Sequence, residues 1–212
     1  MSIKSTTIIL VIILSLLSSF EVTSKAFCAL RDPVAQIYHL YPQADNYRSI
    51  VRTIDEQTRH RVLDQLPNHQ LHTDELGRHT LYVALKQGKP LGIVHVRSEQ
   101  SRWGLIEIAW ALDLDLNVLD FNFQRSRALG NDIVLNKPFK SLLIGKDFKH
   151  LNQYLNPQGE IINQTFNDVA QNAKELSKVV LINGLKTLLV TKIAWAGQIK
   201  TLKAQRNAAK DS

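Results

Sequence analysis

Cysteine is almost missing from this chain. Cys28 is the only one among 212 residues. No internal disulfide can form, so stability has to come from a packed core. A lone cysteine also excludes a C-x-x-C-H haem attachment. The residues before it, Lys25-Ala26-Phe27, put a large ring where a lipoprotein site wants a small residue. The thiol is therefore expected to be inert or occasionally cross-linking. Other absences narrow the function. There is no Walker loop, no G-x-G-x-x-G, no H-E-x-x-H and no nucleophile elbow. Internal repeats and low-complexity tracts are missing too.

Histidines are present but scattered. His69 and His72 sit close together in a polar loop with Asp74 and Glu75. A solvated loop is the default reading, with a metal site as the rival. Glu107, Asp113 and Asp115 alternate along a strand and its turn, and read as the wet face of a half-exposed sheet. No side chain stands out as a catalytic acid, base or nucleophile.

The N-terminus carries the clearest address. Lys4 gives a positive start, Ile8 to Leu17 is apolar except for Ser15, and Ser24-Lys25-Ala26 follows. That is the layout of a secretory signal peptide cleaved after Ala26. The apolar run is short against the ~20 residues of a bilayer span. Ser18, Ser19 and Phe20 would extend it into a retained anchor, so both readings stand. Either way the protein is expected outside the cytoplasm, in the periplasm or an equivalent space. Residues 27–196 are expected to form a single domain, and 197–212 a basic, flexible tail. The net charge of +7 favours anionic lipid or acidic partners. A nucleic-acid partner is not expected.

Hydrophobic periodicity predicts the fold. Residues 32–42 read as a short amphipathic helix ended by Pro42, and 49–53 as a β-prone segment. Asp55 is placed to cap a helix reaching about Leu66. Four strands follow, over 79–86, 91–97, 105–114 and 118–124. Ile106, Ile108, Trp110, Leu112 and Leu114 alternate with Glu107, Ala109, Ala111 and Asp113, a period of two. Short turns at 87–90 and 115–117 make an antiparallel meander. Its apolar face needs a cover. Short helical pieces around Gly145 and a long helix from about Asn167 to Trp195 supply it. The predicted class is α+β: a twisted antiparallel sheet with helices on one face.

Three features suggest a ligand. Ser101-Arg102-Trp103-Gly104 leads into the strand at Leu105. Arg125-Ser126-Arg127, followed by Gly130, ends the next strand. Phe139, Gly145 and Lys146 open the helical cover. An aromatic plane with arginines and close-approach glycines suits a flat anion. A hairpin with a core tryptophan and surface arginines is the plainer reading.

The order of short motifs adds to this. A helix, Tyr41-Pro42-x-Ala44, Gly88-Lys89-Pro90-Leu91-Gly92-Ile93-Val94, Trp103-Gly104-Leu105-Ile106, Leu112-Asp113-Leu114-Asp115 and the strand from Val118 resemble the FMN-binding domain family. That family includes flavoprotein subunits of membrane redox complexes and the membrane regulator of nitrous-oxide respiration. The resemblance runs from about Tyr41 to Lys192. It implies a flavin site near Trp103, Gly104, Leu105, Arg125, Gly130, Phe139, Gly145, Lys146 and Ser177. It also implies electron exchange with a membrane redox complex or another envelope partner, the flavin supplying the redox chemistry. The family's His-x-Glu-Thr-Pro-Gly is represented only by Gly130. Its flavin-bearing threonine is missing, since that place reads Ala173-Lys174-Glu175-Leu176-Ser177. FMN is therefore expected to be non-covalent. The rival expectations are an accessory module that keeps the fold without flavin, and a small-molecule sensor.

Overall fold

A computed structural model describes residues 32–66 and 68–208. The signal or anchor expected over residues 1–26 lies outside the described residues, as does Cys28. Helix α1 (Val34–Leu40) leads into strand β1 (Asn46–Ile54). Helix α2 (Glu56–Leu63) follows, its first turn capped by Asp55, whose Oδ1 accepts from Thr58 N at 2.8 Å. A 3-10 turn (Thr73–Glu75) precedes β2 (Gly77–Lys86), β3 (Lys89–Ser101), β4 (Gly104–Leu112) and β5 (Val118–Arg125). The five strands lie in sequence order, every neighbour antiparallel. The α+β class and the meander are as predicted. The β-prone segment at 49–53 becomes a fifth, full-length strand.

The turns explain the register. Gln87 and Gly88 both have positive φ, at 50° and 75°, which matches the twist of a tight two-residue hairpin. At the β4–β5 turn, Asp113 Oδ1 accepts from the backbone N–H of Asp115 and of Asn117, each at 2.8 Å. That knot holds Leu116 in the left-handed region at φ 65°.

Helices cover both faces, which corrects the one-face expectation. The larger core joins Ile93, Ile108, Trp110 and Phe121 to the long helix and its neighbours. On the opposite face, Ile37, Leu40 and Tyr41 of α1 and its exit pack on Tyr82, Val94, Val96, Ala109 and Ala111. The face read as wet is thus buried along β4 at Glu107, Ala109 and Ala111, while Asp113 stays half-buried and Asp115 exposed in the turn beyond it. The reason is size: Ala109 and Ala111 leave room for a helix and have no polar atoms to hydrate. Tyr41 fastens α1 by donating its hydroxyl to Leu112 O at 2.6 Å. A Cβ at position 92 would collide with that hydroxyl, so Gly92 is what lets Tyr41 reach the sheet.

After β5 come α3 (Asn131–Val134), α4 (Lys137–Leu143), α5 (Phe148–Asn152), α6 (Gln164–Val169), α7 (Lys174–Ala194) and α8 (Ala196–Ala208). Two expectations change. The helix predicted from Asn167 is interrupted: α6, capped by Asn163, ends at Val169, and α7 starts only at Lys174. Through residue 208, the tail expected to be flexible is instead helix α8, bent 82° from α7. Ile199 and Leu202 recur at helical spacing and are buried, while the basic residues stay outside. Trp195 locks the bend, its Nε1 donating to Ile50 O at 3.1 Å. No single helix among the described residues is long and apolar enough to cross a membrane.

Both outer strands use their own side chains to satisfy backbone donors. Asn46 Oδ1 accepts from Tyr47 N at 2.8 Å in β1. In β5, Asp120 Oδ1 accepts from Phe121 N at 2.8 Å and Asn122 Oδ1 from Phe123 N at 2.9 Å.

Candidate functional site

The β3–β4 hairpin is closed by Ser101 opposite Gly104, whose φ of 88° favours glycine. Ser101 Oγ donates to Gly104 O at 2.7 Å. Trp103 sits half-buried at the tip and packs on the core under α7. The arginine beside it is its neighbour: the Arg102 guanidinium stands 4.4 Å from the ring centroid, a cation–π contact. Arg102 Nε also meets Glu175 Oε2 at 3.0 Å, in the first turn of α7. No side chain caps that helix at Ala173. Gly130, at φ 87°, lies so close to Ala173 that an added Cβ would come within 2.8 Å of the alanine's Cβ.

Trp103, Gly104, Leu105, Gly130 and the start of α7 therefore gather at one end of the sheet. Arg125 reaches that end but not that side. A register shift pairs it with Glu107, whose strand neighbours Ile106 and Ile108 point into the core under α7. Cross-strand partners share a face, so Arg125 belongs to the α1 side. Ser177 is one turn inside the helix, fully buried, its N–H bonded to Ala173 O at 2.8 Å. It cannot offer that N–H to a phosphate. Phe139 is core, packed on Phe121 and Phe166 at ring centroid distances of 6.4 and 5.3 Å. Gly145 and Lys146 pair with Val118 at 2.7 and 2.9 Å, at the opposite end of β5 from Arg125. None of these residues lines the four best-formed surface cavities among the described residues.

The densest chemistry lies elsewhere, buried between β3 and α7. Glu75 is fully buried and uses both carboxylate oxygens. Oε2 accepts from Arg97 Nη2 at 2.8 Å; Oε1 accepts from Lys186 Nζ at 3.2 Å and from His72 N at 3.0 Å. Lys186 Nζ also donates to Glu99 Oε1 at 2.7 Å. Two carboxylates and two cations thus neutralise one another away from water, as buried charges require. Burial raises the Glu99 pKa above the ordinary carboxylate range, and Lys186 opposes the shift.

Two histidines complete the layer. His79 Nε2 donates to Glu75 O at 2.9 Å. His95 Nδ1 lies 2.8 Å from Thr191 Oγ1, which itself donates to Thr187 O at 2.6 Å. The hydroxyl is thereby spent, so the imidazole Nδ1 is the donor. Burial first, and Arg97 second, push the His79 pKa down to about 3 and His95 well below its usual value. The remaining ring nitrogens have no hydrogen-bond partner among the described residues, nor do Arg97 Nε and Nη1.

Sequence reading missed this layer, though a signal existed. His95, Arg97 and Glu99 continue the inward set that starts at Ile93. Lys186 interrupts the apolar stripe of α7 beside Leu185 and Leu189. Among the described residues, no three His, Cys, Asp or Glu side chains are arranged to hold a metal ion. The layer can clamp elements together and keep its two histidines neutral, and it lines none of the four best-formed cavities among the described residues. Compared with known proteins, the chain matches no protein-family model, and no curated protein matches it.

Proposed function

We propose that the protein is an exported flavin-binding domain that holds FMN non-covalently and exchanges electrons with a membrane redox partner. The observation that supports this reading is the meeting of the Arg102–Trp103 tip, Gly130 and the uncapped start of α7 at one end of the sheet. The indole would stack on the isoalloxazine, as aromatic rings stack on bases. Arg102 replaces Arg125 as the phosphate partner, because it stands beside the ring. It would have to leave Glu175, an exposed pair of small net worth. The flavin would supply the redox chemistry and the protein its position and electronic surroundings.

Titration of the purified protein with FMN and with riboflavin tests the reading. Both should bind; Arg102→Ala should weaken FMN more than riboflavin. Acid precipitation should leave a colourless pellet and free FMN in solution. Failure of folded wild-type protein to bind either ligand ends the flavin reading. The second reading, an accessory module of the cell envelope, would then stand. It is favoured by one observation: Trp103 and Arg125 lie on different sides of the sheet.

A further inference from the structure

The bend between α7 and α8 creates a cavity of about 420 Å³. It lies by the β4–β5 turn, at the other end of the sheet from Trp103, and is independent of the flavin reading. Its floor is apolar: Leu116 from the turn, Phe148 from α5, Leu188 from α7 and Ile199 from α8. Leu116 contributes from a left-handed backbone at φ 65°. That conformation is costly for a leucine and persists only where the surroundings enforce it.

The charges around this floor are unequal. Asp115 is already taken, by Lys203 Nζ at 2.8 Å and Arg206 Nη2 at 3.4 Å. Asp147 caps α5, its Oδ1 accepting from His150 N at 2.9 Å. Both carboxyls are held below the usual carboxylate range by those donors. Lys149 on α5 and Lys192 on α7 line the cavity, are exposed, and have no ion pair among the described residues. Repulsion from the C-terminal end of α7 is muted, because Thr191 O and Trp195 O accept from Trp195 N and Ile199 N. What remains is an apolar hollow with two unspent ammonium groups from different helices.

We infer that this cavity binds a compact organic anion, an aromatic or aliphatic ring carrying a phosphate or carboxylate. The ring would lie on Leu116, Phe148, Leu188 and Ile199, and the anionic group between Lys149 and Lys192. A few polar anchors over an apolar floor are the usual make-up of a small-molecule site, and the volume falls in the usual range. That volume accepts a one- or two-ring body and excludes a whole diacyl lipid.

The probe is 1-naphthyl phosphate, with neutral 1-naphthalenemethanol as its control, titrated against full-length protein and followed by amide chemical shifts. Saturable phosphate-ester binding is expected, with shifts at Leu116, Phe148, Leu188 and Ile199. The double variant Lys149→Gln, Lys192→Gln changes only exposed side chains. It should cut affinity roughly tenfold, from two contacts each of the size of an exposed ion pair. It should also abolish the preference over the alcohol. Trp103→Ala should leave naphthyl phosphate binding unchanged while weakening FMN, which separates this site from the flavin site. The inference is overturned by absent saturable binding, by equal affinity for the alcohol, by an unaffected double variant, or by shifts centred on Trp103.

Discussion

One helix, α7, buries two kinds of interior. Along one side it covers Trp110, stacked on Phe121 at 4.9 Å, with Phe139 and Phe166 behind. Along the other it closes Glu75, Arg97, Glu99 and Lys186. The aromatic half owes its stability to area and close packing, and loses it in proportion to the atoms removed. The charged half gains little from burial as such, because desolvation offsets the attraction. It becomes costly when one partner is lost. The same helix surface therefore tolerates opposite kinds of substitution in its two halves.

The largest effects should expose that contrast. Trp110→Ala should cost about 3–5 kcal/mol in chemical denaturation, the range for a large aromatic removed from a core. Lys186→Met should cost a similar ~3–5 kcal/mol by stranding carboxylates. The two losses differ in repair. Adding Glu99→Gln to Lys186→Met should recover about 0.5–3 kcal/mol, the size of a coupling between groups in contact. No charge change should rescue Trp110→Ala. If Glu99→Gln gives no recovery, the two halves do not differ in the way described.

Acid should act on the charged half alone. His79 has a folded pKa of about 3, against an ordinary ~6.5 in the unfolded chain. Its contribution is fully present above pH ~6.5 and is lost as pH falls toward 3, because the unfolded chain then binds the extra proton. The slope is about 1.4 kcal/mol per pH unit for one such group, and His95 adds to it. Glu99, raised by burial, contributes with the opposite sign at its own titration and softens the fall. Denaturation midpoints between pH 7 and pH 4 should decline in wild type and decline less in His79→Leu. Equal slopes would mean that the histidine is not held neutral.

A smaller effect probes the seam between the halves. Gly184 lies under Trp110, where a Cβ would come within 2.8 Å of the indole. Next to it, Asn183 Oδ1 accepts from Trp110 Nε1 at 2.8 Å. Gly184→Ala should cost about 1–3 kcal/mol by overpacking, even though alanine is the better helix former. A stabilised variant would show that the ring has room to move. The smallest effect is expected at the hairpin tip. Glu175→Ala should change stability by ~1 kcal/mol or less, since its pair with Arg102 is exposed. The same variant should tighten FMN if Arg102 is the phosphate partner, a gain that flavin fluorescence titration would detect.

Much of this fold was legible because one physical rule governs it locally. Strict alternation over Ile106 to Leu112 reported β4, and short polar turns reported the meander. The burial of Ala109 and Ala111 was not legible, because alternation with small residues looks the same whether water or a helix lies on that side. The tail failed for a related reason: basic residues outnumber Ile199 and Leu202, though two well-placed anchors are enough to dock α8. The candidate site was legible only as composition. Arg125 ends the right strand, yet a one-residue register shift turned it to the other face. Nothing in its local sequence announces that shift. The ionic layer was visible as inward-phase charges on β3 and α7, but only Glu75 was considered, as part of a solvated loop.

The guarded edge strands have a consequence for handling the protein. An open sheet normally offers its outermost N–H groups to any passing strand, and growth by strand addition follows. Here Asn46, Asp120 and Asn122 occupy three of those donors from within, at Tyr47, Phe121 and Phe123. Gln36 of α1 lies across the β5 side as well, donating to Phe123 O at 3.2 Å and accepting from Asn122 Nδ2 at 3.0 Å. The sheet is terminated chemically rather than by closure into a barrel. Concentrated solutions should therefore stay free of fibrous, cross-strand polymer so long as these short polar side chains are intact.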